Sequence, residues 1–278
     1  MSDIAGEFGG VTPYDLSAYY GVGAGIPNSG TISISNFYGA SSASPIKASG
    51  GSITDNGGYR YHSWTGNGDF TVTELASGSF SNTIELCVVG GGGGGGGYYG
   101  NVGGGGGAGG GRALANVTAS IGNFSAVVGS AGLGGYSGFN SQNGGDSTFM
   151  GHAGIGGGRG GFYGYGDTGG HGGCGGGSVQ TRTGGVGSQG YDGGNGRSNG
   201  GGGGGGMGSA GNSNGNAGGG WSWGLWSFSY GGRGAYYTDG NGSNAGSYAS
   251  GGNGGGNRTS GTGGNGYSGL VLLRYQYG

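Results

Sequence analysis

The sequence predicts a mostly irregular or β chain, organised as a bundle of polyglycine II helices on a small β-sheet base, preceded by a short N-terminal segment. Glycine supplies 94 of the 278 residues, whereas 31% of the residues are hydrophobic and 7% are charged. Glycine also recurs at every third position over long stretches. The two most apolar runs, residues 84–89 and 269–275, stand on either side of the glycine-rich region.

Composition rules out an ordinary globular core along the whole chain, because too few aliphatic side chains are available to bury. Glycine at this level indicates disorder when it has no period, and collagen when a strict three-residue period is combined with many prolines. The chain has only three prolines, which excludes collagen. A disordered glycine linker is the competing interpretation. The glycine phasing and the apolar runs at both ends argue against it.

Composition also narrows the classes of partner. Two cysteines, Cys87 and Cys174, do not make a disulfide framework. The first ten residues have no basic region and no apolar run, so we expect no signal peptide. No apolar stretch reaches the about 18 residues that a membrane span needs. A formal net charge of -2 argues against a nucleic-acid partner. We expect a chain made in the cytoplasm, unprocessed and not inserted into a membrane.

The β elements are predicted from alternation and from apolar runs. Residues 31–35 (TISIS) alternate and predict a short half-buried strand within the N-terminal segment, residues 1–42. Residues 43–89 form a small β unit, completed by residues 267–278. Within it, YRYHSW and FTVT alternate around the turn TGNGD and predict a hairpin. The apolar run 84–89 is typical of a strand buried on both faces, and we expect it to pair with the run near the C-terminus.

Residues 90–266 are predicted to form the polyglycine II bundle. Glycine occupies every third position from 91 to 109 and again from 184 to 196. This period is that of the polyproline II helix, which has no internal hydrogen bonds, so its backbone groups must find partners on neighbouring segments. Glycine lacks a Cβ atom and therefore lets backbones approach closely. The phase shifts between runs, which indicates separate segments joined by turns.

No motif indicates catalysis, a cofactor or a metal. The glycine run after residue 89 lacks the lysine and hydroxyl residue that end a phosphate loop. His171 and Cys174 have H-x-x-C spacing, but no second pair of ligands accompanies them. The acidic residues are dispersed, and no nucleophile elbow is present. We expect a protein that is not an enzyme and that needs no cofactor.

Aromatic residues lie largely between the glycine runs, most densely in residues 221–230 (WSWGLWSFSY), which hold three of the four tryptophans. Such side chains do not fit between backbones about 5 Å apart. They must cap the bundle, cover its outer face or project from loops. Exposed Trp and Tyr are typical contact hot spots. For residues 221–230 we favour a binding tip, with a cap over the bundle end or an unstructured segment as alternatives.

Several stretches of the sequence resemble bacteriophage proteins. SDIAGEFGG followed by IPNSGTISISNFYGAS is similar to the short N-terminal segment of phage tail and fibre proteins. YHSWTGNGDFTVTE, IELCVVGGGGGGGG and GNGYSGLVLLRYQYG resemble the glycine-rich domain of phage receptor-binding proteins. The nearest functional parallel is the distal-tip adhesin of T-even-like long tail fibres, whose polyglycine II helices form a layered bundle with receptor-binding loops. That family carries a longer attachment domain than the N-terminal segment seen here.

The resemblance implies a non-enzymatic virion protein of the tail fibre or tail tip, assembled in the host cytoplasm. Loops of its bundle would bind a receptor on the bacterial surface, either an outer-membrane protein or a polysaccharide. Its N-terminal segment would be a virion-attachment segment that contacts other tail or fibre proteins. The alternative is a purely structural virion component, such as a tail-tip, baseplate or capsid decoration protein without receptor contact.

The resemblance also implies roles for individual residues. Receptor contact is expected for aromatic and acidic residues of three loops: Phe162, Tyr163, Tyr165, Asp167, Trp221, Trp223, Trp226, Phe228, Tyr230, Tyr236, Tyr237 and Asp239. Virion attachment is expected for apolar and aromatic residues of the N-terminal segment: Leu16, Tyr19, Ile32, Ile34 and Phe37.

Overall fold

A computed structural model describes residues 19–21, 26–37, 43–97, 102–136, 139–163, 168–235, 239–256 and 261–278. Its regular secondary structure is almost entirely β, arranged in small antiparallel sheets. The strands are β1 (Lys47–Ser49), β2 (Ser52–Asn56), β3 (Tyr59–Trp64), β4 (Gly68–Glu74), β5 (Thr83–Val89), β6 (Gly111–Thr118), β7 (Gly122–Ala126), β8 (Ser147–Phe149), β9 (His152–Gly154), β10 (Trp221–Trp223), β11 (Trp226–Phe228) and β12 (Leu270–Gln276).

The β-sheet base consists of two sheets packed face to face. Sheet A has the strand order β2-β3-β12-β5-β6, and sheet B has the order β1-β4-β7. Apolar side chains from both sheets meet between them, as expected for two half-buried antiparallel sheets. The large buried side chains of this core include Trp64, Phe70, Ile84, Leu86, Leu273 and Tyr275 from the two sheets and Phe149 from outside them.

The predicted pairing of the two apolar runs is confirmed. β5 and β12 are antiparallel neighbours in sheet A, with Leu270 opposite Val89 and Arg274 opposite Glu85. β5 is buried on both faces, because Leu86 contributes to the core between the sheets while Cys87 faces the other side of sheet A. The glycine-rich region therefore leaves the base at the end of β5 and returns to it at the start of β12.

The predicted hairpin between residues 59–64 and 70–73 is wrong. β3 pairs with β2 and β12 in sheet A, whereas β4 pairs with β1 and β7 in sheet B. The chain crosses between the sheets because Trp64 and Phe70 both enter the shared core, where their rings meet edge to face with centroids 5.9 Å apart. Alternation in two successive segments identified two strands, but it did not identify which strands they pair with.

The strand predicted over residues 31–35 is also wrong. Residues Ile34–Phe37 form a short 3₁₀ turn instead. The Asn36 side chain accepts the Ser33 N–H at 2.7 Å, and the Asn36 N–H donates to the Ser33 carbonyl at 3.0 Å. Such local bonds of Ser and Asn compete with strand pairing, which explains the turn.

Within the range assigned to the bundle, several strands join the base or flank it. β6 is an edge strand of sheet A and pairs with β5, and β7 is an edge strand of sheet B and pairs with β4. β8 and β9 form a separate two-stranded sheet, from which Phe149 enters the core. The Ser147 hydroxyl donates to the Val89 carbonyl at 2.6 Å and accepts the Gly129 N–H at 2.8 Å. The base and the glycine region are thus joined through buried polar contacts.

The glycine segment 90–97 is hydrogen bonded to six other segments through its backbone. The N–H groups of every third residue, counted from Gly90, all donate to one neighbouring segment. The N–H groups of the two residues in between donate to two other segments. All these donor–acceptor distances are 2.8–3.0 Å. The carbonyl oxygens follow the same three-residue order with three more neighbours. The donor groups reach segments 104–110, 142–145 and 264–267, and the carbonyls accept from 132–135, 157–160 and 252–255.

Three further segments, 103–110, 172–178 and 201–206, also have six neighbours each. These central segments coincide with the longest nearly uninterrupted glycine runs in the sequence. Segments at the periphery have fewer neighbours and keep non-glycine residues on their outer sides. Segments made almost entirely of glycine therefore lie in the interior of the array, and segments with glycine only at every third position lie at its periphery.

Amide side chains complete the backbone hydrogen bonding at the periphery. The side-chain oxygen of Asn143 accepts the Arg159 N–H at 2.8 Å, and that of Asn253 accepts the Arg233 N–H at 2.7 Å. Asn265 does the same for the Gly134 N–H at 2.8 Å. In each case a side-chain oxygen takes the position that a neighbouring carbonyl would occupy in the interior.

A substitution at Gly109 tests whether the central segments require glycine. A Cβ atom at this position would collide with the carbonyl oxygen of Gly90. We expect Gly109→Ala to destabilise the fold by about 1–3 kcal/mol, as overpacking against backbone does. The measurement is the thermal and denaturant unfolding midpoint. Gly246→Ala is the matched control, since no atom lies within 4 Å of its Cβ position. Equal midpoints for the two variants would contradict the close packing described.

We expect His62 to make the stability of the base depend on pH. Its Nδ1 lies 2.7 Å from the Gly50 carbonyl and must donate to it, so Nε2, 3.2 Å from the Tyr275 hydroxyl, accepts. Burial lowers the pKa of this histidine from its ordinary value of 6.5. Protonation is therefore easier in the unfolded chain. We expect full stability above about pH 6.5 and a progressive loss as the pH falls below it.

The check is the free energy of unfolding of the wild-type chain and of His62→Gln, measured from about pH 8 to about pH 5. The variant should be less stable at high pH but should show a flatter dependence on pH. Parallel pH profiles for the two proteins would show that another group causes the dependence.

Candidate functional site

The glycine region has two ends, which the hydrogen-bond register defines. Gly90 donates to Gly110 beside β5 and β6, and we call this the proximal end. Gly96 donates to Gly104 at the other end of the same two segments, which we call the distal end. The described residues of the distal end include 135–136, 139–141, 161–163, 178–182, 196–201, 213–216, 233–235, 239–243, 254–256 and 261–263.

The receptor-contact residues predicted from the sequence divide between the two ends. Phe162, Tyr163 and Asp239 lie at the distal end, whereas the whole of residues 221–230 lies at the proximal end against the base. Receptor contact stays a prediction for all of them. The remaining predicted contacts lie outside the described residues: Tyr165, Asp167, Tyr236 and Tyr237.

Residues 221–230 form a small hairpin that covers the outer face of sheet A. β10 and β11 pair through a two-residue turn, and Gly224 has the positive φ of 56° that the first position of such a turn favours. Phe228 is fully buried against Leu270 and Leu272 of β12. The hairpin is thus part of the apolar packing of the base.

The three tryptophans of this hairpin are half-buried on the same sheet face. Trp221 meets Phe228 edge to face, with ring centroids 5.6 Å apart. Trp226 lies 5.7 Å from the ring of Tyr61. The Arg274 guanidinium stands 5.6 Å above the Trp223 ring and bonds to Glu85 at 2.8 Å. Through these contacts the hairpin covers the outer face of sheet A. It does not project as the tip that the sequence favoured.

The distal end displays exposed aromatic rings. Tyr136 and Phe139 are 46% and 61% exposed, and their rings stack with centroids 4.6 Å apart. Tyr163 is 38% exposed, next to Phe162, which is buried. The sequence reasoning missed the pair Tyr136 and Phe139. The signal was nevertheless present, because the two residues stand where one phased glycine run ends, as the other aromatic spots do.

Among the described residues of the distal end, polar grooves open at two places. One, of about 600 Å³, is lined by Gln180, Thr181, Arg182 and Ser198. The other, of about 190 Å³, is lined by charged, amide and hydroxyl residues and by glycine: Arg233, Gly234, Asp239, Gly240, Asn241, Gly242, Ser243, Asn253 and Gly254.

The loop at the first groove is held tightly. Gln180 and Thr181 have φ of 52° and 58°, a conformation that non-glycine residues rarely adopt. The buried Ser178 hydroxyl bonds to the Arg182 carbonyl at 2.5 Å and accepts the Gly196 N–H at 2.7 Å. Val179 is fully buried beneath the loop. The side chains that line this groove therefore stand on an anchored turn.

Both cysteine thiols are buried. Burial raises the pKa of the Cys174 thiol to about 12, and it raises that of Cys87 as well. His171 is occupied as an acceptor, since its Nδ1 takes the Val186 N–H at 2.9 Å. No set of three or more His, Cys, Asp or Glu side chains in these ranges is placed to hold a metal ion. Nor is any helix there long and apolar enough to cross a membrane.

The N-terminal residues predicted to attach the chain make local contacts. Tyr19 is buried and meets Phe37 edge to face, with ring centroids 5.8 Å apart. Ile32 is half-buried, Ile34 lies in the 3₁₀ turn, and Leu16 is outside the described residues. Their part in attachment stays a prediction.

Comparison with known families identifies one family whose pattern the chain matches. Residues 65–276 match the family described as a glycine-rich domain. The chain belongs to this glycine-rich domain family. A comparison with curated proteins gave no match. The match runs from the loop before β4 to the end of β12, so the glycine-rich domain includes most of the base together with the whole glycine region.

Two substitutions in the hairpin of residues 221–230 test whether it packs on sheet A. Phe228 is fully buried and Leu225 is 50% exposed. We expect Phe228→Ala to lower the free energy of unfolding by about 3–5 kcal/mol, because it leaves a cavity against β12. Leu225→Ala should change it by no more than about 0.5 kcal/mol. Denaturant unfolding measures both, and similar effects would show that the hairpin does not pack on sheet A as described.

Proposed function

We propose that this glycine-rich domain is a bacteriophage adhesin, carried on a tail fibre or tail tip, that binds a receptor on the bacterial surface with its distal end. The resemblance of its N-terminal segment and glycine-rich stretches to phage tail and receptor-binding proteins supports a virion protein. We assign the receptor-binding surface to the distal end because its aromatic rings are exposed, and exposed Tyr and Phe offer large rigid contact area.

The glycine region is proposed to be a bundle of polyglycine II helices. The support is the backbone hydrogen bonding of segment 90–97, in which each neighbour recurs at every third residue. A helix with three residues per turn directs its N–H and C=O groups outward in this order. Such a bundle would act as a stiff spacer between the base and the distal end.

The direction of binding is proposed from where the chain enters the base. Residues 43–46 lie beside Ser77, at the end of sheet B that is remote from the glycine region, since Ser44 pairs with Ser77 while Gly68 pairs with Ala126. The N-terminal segment precedes this point and would bind other tail or fibre proteins there. The distal end then faces away from the virion. This arrangement favours Tyr163 and Asp239 as receptor contacts over the hairpin of residues 221–230.

Two exposed tyrosines test which end binds. Tyr163 is 38% exposed at the distal end, and Tyr230 is 44% exposed at the proximal end. We expect Tyr163→Ala, alone or with Phe139→Ala, to weaken binding of the fluorescently labelled full chain to receptive bacteria by about tenfold, as loss of a hot spot of roughly 1–2 kcal/mol would. Tyr230→Ala should bind as the wild type does. The measurement is titration of bacterial strains by flow cytometry.

The opposite result, with Tyr230→Ala impaired and Tyr163→Ala intact, would assign binding to the proximal end. A chain that binds no strain, although immunogold labelling places it on virions, would favour the purely structural virion component.

A further inference from the structure

The described residues of the distal end carry more positive than negative charge. The described residues of the distal end carry three exposed arginines, Arg182, Arg197 and Arg233, and one aspartate, Asp239. The chain as a whole has a formal net charge of -2. The described part of the distal end is therefore positive, whereas the chain as a whole is slightly negative.

The backbone connects these three arginines across adjacent segments. The Arg182 carbonyl accepts the N–H of Gly196, the residue before Arg197, at 3.0 Å. Arg197 in turn pairs with Gly200, and Gly201 donates to the carbonyl of Ala235 at 2.8 Å. Arg233 lies two residues before Ala235. The three guanidinium groups consequently project from neighbouring segments of one end, although they are far apart in sequence.

Each polar groove combines one of these arginines with hydroxyl and amide side chains. Arg182 shares its groove with Thr181 and Ser198. Arg233 shares the other with Asn241 and Ser243, and with the carboxylate of Asp239. Guanidinium groups bind phosphate and carboxylate through paired N–H donors. Hydroxyl and amide groups can both donate to and accept from sugar hydroxyls. The exposed rings of Tyr136 and Phe139 add flat apolar faces at the same end.

We propose that the distal end binds an anionic polysaccharide of the bacterial surface, with Arg182, Arg197 and Arg233 contacting its phosphate or carboxylate groups. This inference rests on the proposed adhesin function and names the chemical class of its receptor. A receptor of the outer-membrane protein class would not require the combination of guanidinium, hydroxyl and amide groups that lines both grooves.

The test uses three immobilised dextrans of equal chain length: phosphorylated, carboxymethylated and unmodified. In biolayer interferometry the full chain should bind the two charged dextrans and not the neutral one. Binding should weaken steeply between about 0.05 and about 0.5 M NaCl, because the contacts are ionic. A preference between the two charged dextrans would identify phosphate or carboxylate as the natural group.

Arginine variants assign the contacts. Arg182→Gln/Arg197→Gln/Arg233→Gln should lose at least about tenfold in affinity for the charged dextrans. Arg112→Gln is the matched control, since Arg112 is exposed on β6 of the base, and it should bind as the wild type does. The double variant Arg197→Gln/Arg233→Gln leaves the tight loop at Arg182 intact, and it should lose a smaller part of the affinity for the charged dextrans. Unchanged thermal midpoints establish that the variants are folded.

Unchanged affinity of the triple variant, or equal binding of neutral and charged dextran, would overturn the inference. So would binding to bacteria that is abolished by protease treatment of the cells and survives periodate oxidation of their sugars, because the receptor would then be a protein while the adhesin function stands. Failure of the adhesin function itself has a different signature, namely arginine-dependent binding to dextrans without binding to any bacterium.

Discussion

The hydrogen bond between the backbones of neighbouring glycine segments is the interaction on which the rest of the structure depends. One such bond contributes a net of about 0.5–1.5 kcal/mol, whereas ordering one residue costs about 1–2 kcal/mol, and glycine lies at the upper end. An isolated pair of glycine segments is therefore unstable. In segment 90–97 the N–H groups and the carbonyls are shared among six neighbours. The array becomes stable only when it is dense, and density requires that the central segments have almost no side chains.

The same requirement explains what happens at the periphery. An outer segment has N–H groups without a neighbouring backbone, and Asn143, Asn253 and Asn265 supply a side-chain oxygen at these places. Asparagine suits this role because its short side chain holds the oxygen close to its own backbone. The repeated combination of glycine and asparagine in the sequence therefore has a structural meaning, in which glycine faces the neighbours and asparagine completes the boundary.

Much of this organisation could be predicted from the sequence, and the failures have physical causes. The pairing of residues 84–89 with the C-terminal run followed from their apolar character, and the pairing of β5 with β12 confirms it. The alternation in β3 and β4 revealed two strands but not their partners, because alternation records which face is buried and not which strand lies alongside. β6 and β7 were hidden within a range dominated by glycine. For residues 221–230 the sequence favours a tip, because the run 84–89 indicates a strand buried on both faces but not which segment covers its second face.

The exclusion of side chains from the interior also separates stability from recognition. Residues with distinctive chemistry have to lie on the outer sides of peripheral segments or at the two ends. At the proximal end they pack on the base, as Phe228 does, and changes there disturb the apolar core. At the distal end, Tyr136 and Arg197 flank turns, and Arg233 lies in a peripheral segment. The backbone bonds at these places do not require those particular side chains. Substitutions at such positions can alter what the surface binds while the glycine array stays intact. Side chains of the distal end can therefore change at little cost in stability, which is the property that the proposed receptor-binding surface would need.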